Sequence, residues 1–150
     1  MLKVWDITET ASLPAVAGEI LAEIESVRVP GQATVVALHG DLGAGKTTFV
    51  QTVGQSLQVK EDITSPTFVV MKKYDIDKTG QKLIHIDAYR IESAEELSVL
   101  NLEEEISQPE NIIFIEWAER VAELLPINTA HLKFSLTDNK RLLEYEHGSE

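Results

Sequence analysis

The chain has 150 residues, a length that fits one domain over residues 1–150. Because 43% of the residues are hydrophobic and 25% are charged, the composition excludes an intrinsically disordered protein. Its 25 acidic and 13 basic residues give a net charge of -12, and a field of that sign disfavours direct binding to nucleic acid or to an anionic membrane. The sequence has no cysteine, no secretory signal pattern and no membrane-spanning apolar run, which excludes disulfides and thiolate chemistry and predicts a soluble, cytoplasmic protein.

Apolar patterning predicts a strand, a helix and a second strand in the first forty residues. Residues 4–8 predict a short strand. Apolar side chains recur at helical spacing over residues 13–27, with Ser12 as the expected N-cap and Pro14 in the first turn. The continuous apolar run Ala33–Leu38 is typical of a buried strand in a parallel sheet, and a second helix is expected after the glycine-rich loop that follows.

The middle of the chain predicts two strands and a helix. Thr67–Tyr74 and Lys82–Ile86 flank a polar turn and are expected to form paired strands. Ser93 and Glu96 have the spacing of a capping box, which predicts a helix over roughly 94–106.

The last third of the chain predicts a buried strand, a helix and a hairpin. Ile112–Ile115 is the second continuous apolar run, and Trp117–Leu125 is expected to be helical. Ala130–Leu136 and Arg141–Tyr145 alternate around a polar turn and predict a terminal hairpin. Helices interleaved with buried strands indicate an α/β fold with a mostly parallel sheet, flanking helices and antiparallel edge strands.

The segment after the first buried strand carries the most specific motif, G-x-x-x-x-G-K-[ST], matched at every fixed position. Its glycines let successive backbone N–H groups face phosphate oxygens, and the start of the next helix adds its positive dipole end. Lys46 would supply a charge to the β- and γ-phosphates, and Thr47 a hydroxyl to Mg²⁺. The predicted phosphate-binding residues of this P-loop NTPase-like fold are Gly40, Asp41, Leu42, Gly43, Ala44, Gly45, Lys46 and Thr47.

The nucleotide is predicted to be ATP. A guanine-specific site normally carries an N-K-x-D loop after a late strand, and the nearest string here, Asn139-Lys140-Arg141-Leu142, lacks the acidic residue. Spacing assigns none of the arginines as an arginine finger.

Two acidic residues follow apolar runs, where a P-loop protein needs a carboxylate for Mg²⁺ or its waters. Glu116 follows the second buried run and has the cleaner Walker-B-like pattern, and Asp87 follows the preceding predicted strand, so both are candidates. His85 alternates with Ile84 and Ile86 and is expected to face the opposite side, where a structural role is favoured over a catalytic one.

Two further features leave alternatives open. Hydroxyl groups in residues 64–68 could reach the γ-phosphate, although spacing alone favours an ordinary loop. Trp117 directly follows Glu116, and periodicity does not decide whether it belongs to the core or to the site.

Four strings occur in the order GDLGAGKTTF, TSPTF, HIDAYR and IEWAER. Together they closely resemble the bacterial ATPase family required for the threonylcarbamoyladenosine modification of tRNA, named TsaE and formerly YjeE. The resemblance covers nearly the whole chain. One departure is Ala118 after the IEW string, where the family often has proline, which puts the local turn in doubt but not the chemistry.

The resemblance implies a role for each motif. The phosphate site would extend to Thr48, Glu116 would be the second magnesium-associated residue, and Asp87 would position the attacking water. Ser65, Pro66 and Thr67 would form a switch-like loop, Trp117 would pack against the site, and the adenine would lie near Thr10, Ala11 and the terminal hairpin turn. The predicted catalytic residues are Lys46, Asp87 and Glu116, the metal ligands are Thr47 and Glu116, and the nucleotide ligands include Thr48 and Thr67.

The resemblance also implies partners. The threonylcarbamoyl transferase and its inactive-paralogue subunit, of the TsaD and TsaB types, would hold the tRNA and modify its adenosine 37, so this chain would meet tRNA only indirectly. Turnover of ATP is expected to be slow alone and faster in the partner complex. Two alternatives are a P-loop small-molecule kinase and a nucleotide-binding regulatory module without hydrolysis.

Overall fold

A computed structural model describes residues 2–41, 44–66, 70–76, 79–92, 96 and 101–147. Three of the predicted site residues, Leu42, Gly43 and Thr67, lie outside the described residues, as does Ser93 of the predicted capping box.

Seven strands of the described residues form one mixed sheet in the order β1-β7-β6-β2-β5-β4-β3. The central strands β6, β2, β5 and β4 run parallel, whereas β7 and β1 at one edge and β3 at the other pair antiparallel with their neighbours. The predicted fold class is therefore confirmed. The strands are β1 (Leu2–Asp6), β2 (Thr34–His39), β3 (Met71–Asp75), β4 (Lys82–Asp87), β5 (Asn111–Glu116), β6 (Ala130–Thr137) and β7 (Lys140–His147).

The helices cover both faces of the sheet. α1 (Leu13–Ser26) and α2 (Lys46–Ser56) pack on one face against a core that includes Leu38, Leu83 and Phe114. The short helix α3 (Leu102–Ile106) and a 3₁₀ segment (Ala118–Leu124) contribute to the core on the other face. Successive side chains of the central strands therefore point to opposite faces of the sheet and pack into two separate cores.

Two of the local predictions are wrong in detail, and a third, the helix expected over Trp117–Leu125, is confirmed as helical but of another type. Ser12 has helical backbone angles and donates its hydroxyl to the Glu9 carbonyl, so it does not cap α1. The helix expected over 94–106 is not continuous, because Asn101 has a left-handed φ of 61° and only residues 102–106 follow it as a helix. The segment after β5 is 3₁₀ helix with a kink at Val121 (φ -130°), not a regular α-helix.

The predicted hairpins are confirmed. β6 and β7 pair around Asp138 and Asn139, whose φ values of 49° and 67° match the two central positions of a type I′ turn. β3 and β4 also pair antiparallel, but β3 begins only at Met71 because Val70 has a φ of 70°. Residues 67–69 of this predicted strand lie outside the described residues.

Gly40 directly follows β2 and has a backbone conformation that only glycine adopts readily. Its φ is 142°, and a Cβ at this position would lie 2.6 Å from the carbonyl oxygen of Phe134. The backbone of β6 therefore requires a residue without a side chain here.

We expect Gly40→Ala to destabilise the fold by about 1–3 kcal/mol, because it combines an unfavourable φ with a backbone clash. Gly18→Ala is the matched control, since Gly18 lies exposed within α1 with nothing within 4 Å of an added Cβ. This control should stabilise the protein by about 0.5–1 kcal/mol through helix propensity. Urea unfolding without nucleotide measures both, and equal stabilities of the two variants would contradict the prediction.

Candidate nucleotide-binding site

Strand register places the motifs at one edge of the sheet. Leu38 of β2 lies beside Glu116 of β5, and Glu116 lies beside Asp87 of β4. Because the three strands are parallel, their carboxyl ends meet where α2 begins. Three of the four motifs, the glycine-rich loop and the strings that hold Asp87 and Glu116, therefore converge although they are distant in sequence.

The described part of the glycine-rich loop turns sharply before α2. Ala44 donates its backbone N–H to the Asp41 carbonyl at 3.1 Å, and Gly45 adopts a φ of 107° at the N-cap of α2. Lys46 is buried, and its Nζ donates to the Gly40 carbonyl at 2.6 Å. A buried ammonium group beside the first turn of a helix forms a positive region suited to an anion.

The two candidate carboxylates are both buried at this edge. Glu116 Oε2 accepts a 3.3 Å hydrogen bond from the Thr47 hydroxyl in the first turn of α2. Asp87 Oδ1 accepts the backbone N–H of Tyr89 at 2.9 Å, which fixes this carboxylate at the last residue of β4. The structure thus brings both carboxylates to the cleft, and the closer partner of Thr47 is Glu116.

His85 contacts the same carboxylate, which the sequence did not reveal. It is fully buried, and its Nε2 lies 2.6 Å from Glu116 Oε2. The expectation that it faces away from Ile84 and Ile86 is confirmed, because those two side chains belong to the core on the opposite face. No local pattern identifies this partner, since the two residues come from different strands.

The aromatic ring of Trp117 packs against Lys46. Trp117 follows Glu116 with a positive φ of 59°, and Lys46 Nζ lies 4.9 Å from the centre of its ring. The ring also contacts Tyr89 at 5.0 Å, and the Arg120 guanidinium lies 5.8 Å from it. Trp117 therefore belongs to the site as well as to the core edge.

These elements line a cleft with a volume of about 350 Å³. Arg141, which the sequence did not assign, is part of its wall: a Cβ on Gly45 would lie 4.0 Å from the Arg141 Nη1. The backbone of Arg141 bonds with Ile7 and with the Thr8 hydroxyl, so the N-terminal segment fixes its position. The lining residues are Gly45, Lys46, Thr47, Thr48, Ser65, Asp87, Tyr89, Glu116, Trp117 and Arg141.

The donor set of the cleft suits a hard cation that is shared with a ligand. Oxygen atoms of Thr47 and Glu116 are within hydrogen-bond distance, and Asp87 lies in register beside Glu116. No group of three or more histidine and acidic side chains in the described part of the chain could hold a metal ion by itself. Mg²⁺ typically takes one or two carboxylates and completes its shell with phosphate oxygens and waters.

A histidine pair lies next to the loop. The rings of His39 and His131 stack with centroids 5.3 Å apart, and a 3.0 Å contact joins His39 Nε2 to His131 Nδ1. Glu119 approaches His39 at 3.6 Å. Desolvation lowers the pKa of both histidines, opposed at His39 by Glu119 and reinforced by Lys133 and Lys46. At His131 the charge of His39 lowers the pKa further, and Glu146 opposes it.

The family model for the threonylcarbamoyl adenosine biosynthesis protein TsaE matches residues 7–143. The chain belongs to the TsaE family. The match includes the glycine-rich loop, both carboxylates and the start of the terminal hairpin, so it covers the cleft as well as the sheet.

Individual TsaE proteins and one solved structure agree with this assignment. The chain is 47% identical to TsaE from Nostoc sp. over 91 residues, which span 59% of this chain and 54% of that protein. It is 36% identical to TsaE from Treponema pallidum over 134 residues, which span 89% of this chain and 90% of that protein. The crystal structure of Bacillus subtilus YdiB superposes with a TM-score of 0.75 at 25% identity, covering 99% of this chain and 87% of that one.

Among the described residues of this TsaE-family chain, no helix combines the length and the apolar character that crossing a membrane requires.

We expect the histidine pair to make stability depend on pH. Because both folded pKa values lie below the ordinary value of 6.5, the unfolded chain binds more protons once the pH falls below that value. Stability is therefore full above about pH 6.5 and falls on acidification, before most carboxylates titrate. Thermal unfolding between pH 7.5 and 5.5 measures this loss, and the double variant H39Q/H131Q should flatten it. An unchanged slope in the double variant would count against the pair as its cause.

Proposed function

We propose that this chain binds ATP with Mg²⁺ and hydrolyses it as a component of threonylcarbamoyladenosine biosynthesis in tRNA. The observation that carries the proposal is the cleft at the start of α2, where Lys46, Thr47, Asp87 and Glu116 lie together. Family membership supports the pathway, and the chemistry of the cleft supports the reaction.

The loop and the start of α2 would bind the phosphates. Their backbone N–H groups and the helix dipole attract anionic oxygens, and Lys46 adds a full positive charge. The lysine now contacts the Gly40 carbonyl, from which its flexible side chain can turn to the β- and γ-phosphates. Thr48 also lines the cleft and extends the row of donors.

Thr47 and Glu116 would hold Mg²⁺ together with the nucleotide. When bound, this ion supplies positive charge that offsets the negative charge developing on the transferred phosphoryl group. The hydroxyl of Thr47 is the expected direct ligand, and Glu116, 3.3 Å from it, would orient the ion or one of its waters. This arrangement follows the usual division of work in P-loop proteins.

Asp87 would position the attacking water. It lies one strand farther from the loop than Glu116, and both Asp87 and Ser65 line the cleft. The backbone N–H of Tyr89 holds one of its oxygens. Phosphoryl transfer depends mainly on positioning and electrostatics, so a fixed acceptor for the water is the contribution this carboxylate can make.

Arg141 and the N-terminal segment would enclose the rest of the nucleotide. They lie on the β7 side of the loop, away from the two carboxylates. The resemblance to known ATPases of this family implies that the adenine would lie near Thr10, Ala11 and the hairpin turn. The hydrogen bonds of Ile7 and Thr8 to Arg141, which join the N-terminal segment to β7, support this proposal. Partners of the TsaD and TsaB types, which would hold the tRNA and accelerate turnover, belong to the same proposal.

Lys46→Ala should abolish tight ATP binding, because it removes the charge that faces the phosphates. Calorimetry with Mg²⁺ and ATP measures the affinity. Lys82→Ala is the matched control. This exposed lysine is the first residue of β4, at the end of the strand opposite to Asp87 and the cleft, so the same loss of charge should leave the cleft intact. Equal affinity of the Lys46 variant and wild type would refute the phosphate site, and a labelled metabolite formed from ATP would indicate a kinase instead.

Asp87→Asn should reduce turnover by about 10²-fold or more while ATP affinity stays within a few-fold of wild type, since positioned acid–base groups contribute on this scale. Asparagine keeps the side-chain oxygen that accepts the Tyr89 N–H, so the fold of the loop should persist. Phosphate release in single-turnover conditions, with the partner complex present, measures the effect. Normal hydrolysis by the variant would remove Asp87 from the mechanism.

A further inference from the structure

We propose that His85 is a positioning residue for Glu116: it donates a hydrogen bond from Nε2 to the carboxylate and thereby sets the affinity of the nucleotide complex for Mg²⁺. The inference rests on the proposed function, since it concerns the same carboxylate. It assigns a task to a buried residue that is not among those lining the cleft.

The contact is short and shielded from water. His85 Nε2 lies 2.6 Å from Glu116 Oε2, the histidine is fully buried, and the glutamate is only 5% exposed. In the register of β4 and β5, His85 is opposite Phe114 and Asp87 is opposite Glu116, so the imidazole reaches diagonally to the next residue on the same face. Both side chains leave rigid strands in the centre of the sheet.

The chemistry of the partner fixes the direction of the hydrogen bond. A carboxylate can only accept, so Nε2 must carry the proton. Nδ1 is then buried, and it has no hydrogen-bond partner among the described residues. A buried polar atom without a partner is costly, and an aliphatic side chain would avoid that cost. The neighbours Leu83, Ile84 and Ile86 are aliphatic, so His85 interrupts a buried aliphatic run at the position that meets Glu116.

The two donors leave one oxygen of the carboxylate for other ligands. Glu116 Oε2 accepts hydrogen bonds from both His85 Nε2 and the Thr47 hydroxyl. The first donor belongs to β4 and the second to α2. Oε1 has no hydrogen-bond partner within the described part of the chain, and Glu116 lines the cleft. Fixing Oε2 therefore orients Oε1 toward the cation before the nucleotide complex forms. Groups that orient a metal-binding side chain typically change metal affinity about 10–100-fold when they are removed.

Three variants separate positioning from packing. Gln places an amide N–H near the position of Nε2, whereas Asn is too short to reach Glu116, although both bury a polar amide. In His85→Asn and His85→Leu, the Mg²⁺ concentration for half-maximal binding of a non-hydrolysable ATP analogue should rise about tenfold or more, and in His85→Gln it should stay within about threefold of wild type. Affinity for the analogue in EDTA should be the same in all four proteins.

A control accounts for general destabilisation. Ile84→Val shortens a buried side chain of the same strand on the opposite face, so it loosens β4 without touching Glu116. Its Mg²⁺ titration should match wild type even if its Tm falls as far as that of the His85 variants. If His85→Leu does not fold, the comparison of His85→Gln with His85→Asn still decides the question.

A spectroscopic measurement tests the hydrogen bond without nucleotide. The ¹⁵N chemical shifts of His85 in the metal-free protein should show the proton on Nε2, and Glu116→Gln should perturb this signal.

The outcomes distinguish the two proposals. Equal Mg²⁺ titrations for wild type, His85→Asn and His85→Leu, or a proton on Nδ1, would overturn the positioning role and leave the ATPase proposal intact. Absence of saturable Mg²⁺-dependent analogue binding by wild type would instead refute the proposed function itself, and the positioning role with it.

Discussion

The parallel alignment of β2, β5 and β4 is the constraint on which the rest of the site depends. It places the ends of three strands side by side, with Leu38, Glu116 and Asp87 as neighbours across the sheet. A slip of one residue in either pairing would turn the side chains to the opposite face. Glu116 would then face the core beneath α3 instead of Thr47. The aliphatic residues that fill both cores therefore fix the geometry of the polar edge as well as the stability of the sheet.

The chain turns from strand to helix at this edge through unusual backbone conformations. Gly40 and Gly45 have positive φ, and so does Trp117, for which the left-handed region is unfavourable. The surrounding structure compensates for it: the Trp117 ring contacts Tyr89 and its backbone carbonyl accepts a hydrogen bond from Arg120. Strained positions of this kind cluster at ligand sites, because they direct side chains where a regular element would not. Here the turn after β5 places the indole over Lys46 while Glu116 stays in the strand.

The sequence predicted what depends on near neighbours along the chain. The buried runs, the terminal hairpin and the glycine-rich loop follow from periodicity and turn chemistry, and the structure confirms the fold that they imply. Local rules failed over residues 92–106. The left-handed Asn101 interrupts the predicted helix, and Glu96 accepts the N–H of Glu92, which the spacing of a capping box does not anticipate.

Rules based on neighbouring residues could not predict the contacts of the site, because these contacts join residues that are far apart in the sequence. His85 and Glu116 are 31 residues apart, and Thr47 and Glu116 are 69 apart. The roles of Thr47 and Glu116 could be suggested because P-loop motifs pair them by type. Nothing in the residues around His85 or Arg141 indicates what either one meets, since each contact exists only after the sheet has formed. The resemblance to a known family implies roles for Asp87 and Glu116 but none for His85 or Arg141.

The net charge of the chain and the charges that line the cleft act over different distances. A net charge of -12 repels a nucleotide at long range, yet salt screens exposed charges over about 8 Å at physiological ionic strength, so local groups decide binding. The cleft is lined by two cationic side chains, Lys46 and Arg141, and by two carboxylates, Asp87 and Glu116. Phosphates alone would be attracted by the first pair and repelled by the second. Under the proposed function, a divalent cation between the phosphates and the carboxylates would turn that repulsion into attraction, so this arrangement would favour a metal-complexed nucleotide over the free one. Selectivity for that form would then come from carboxylates that otherwise oppose binding, and the orientation of Glu116 would matter as much as its presence.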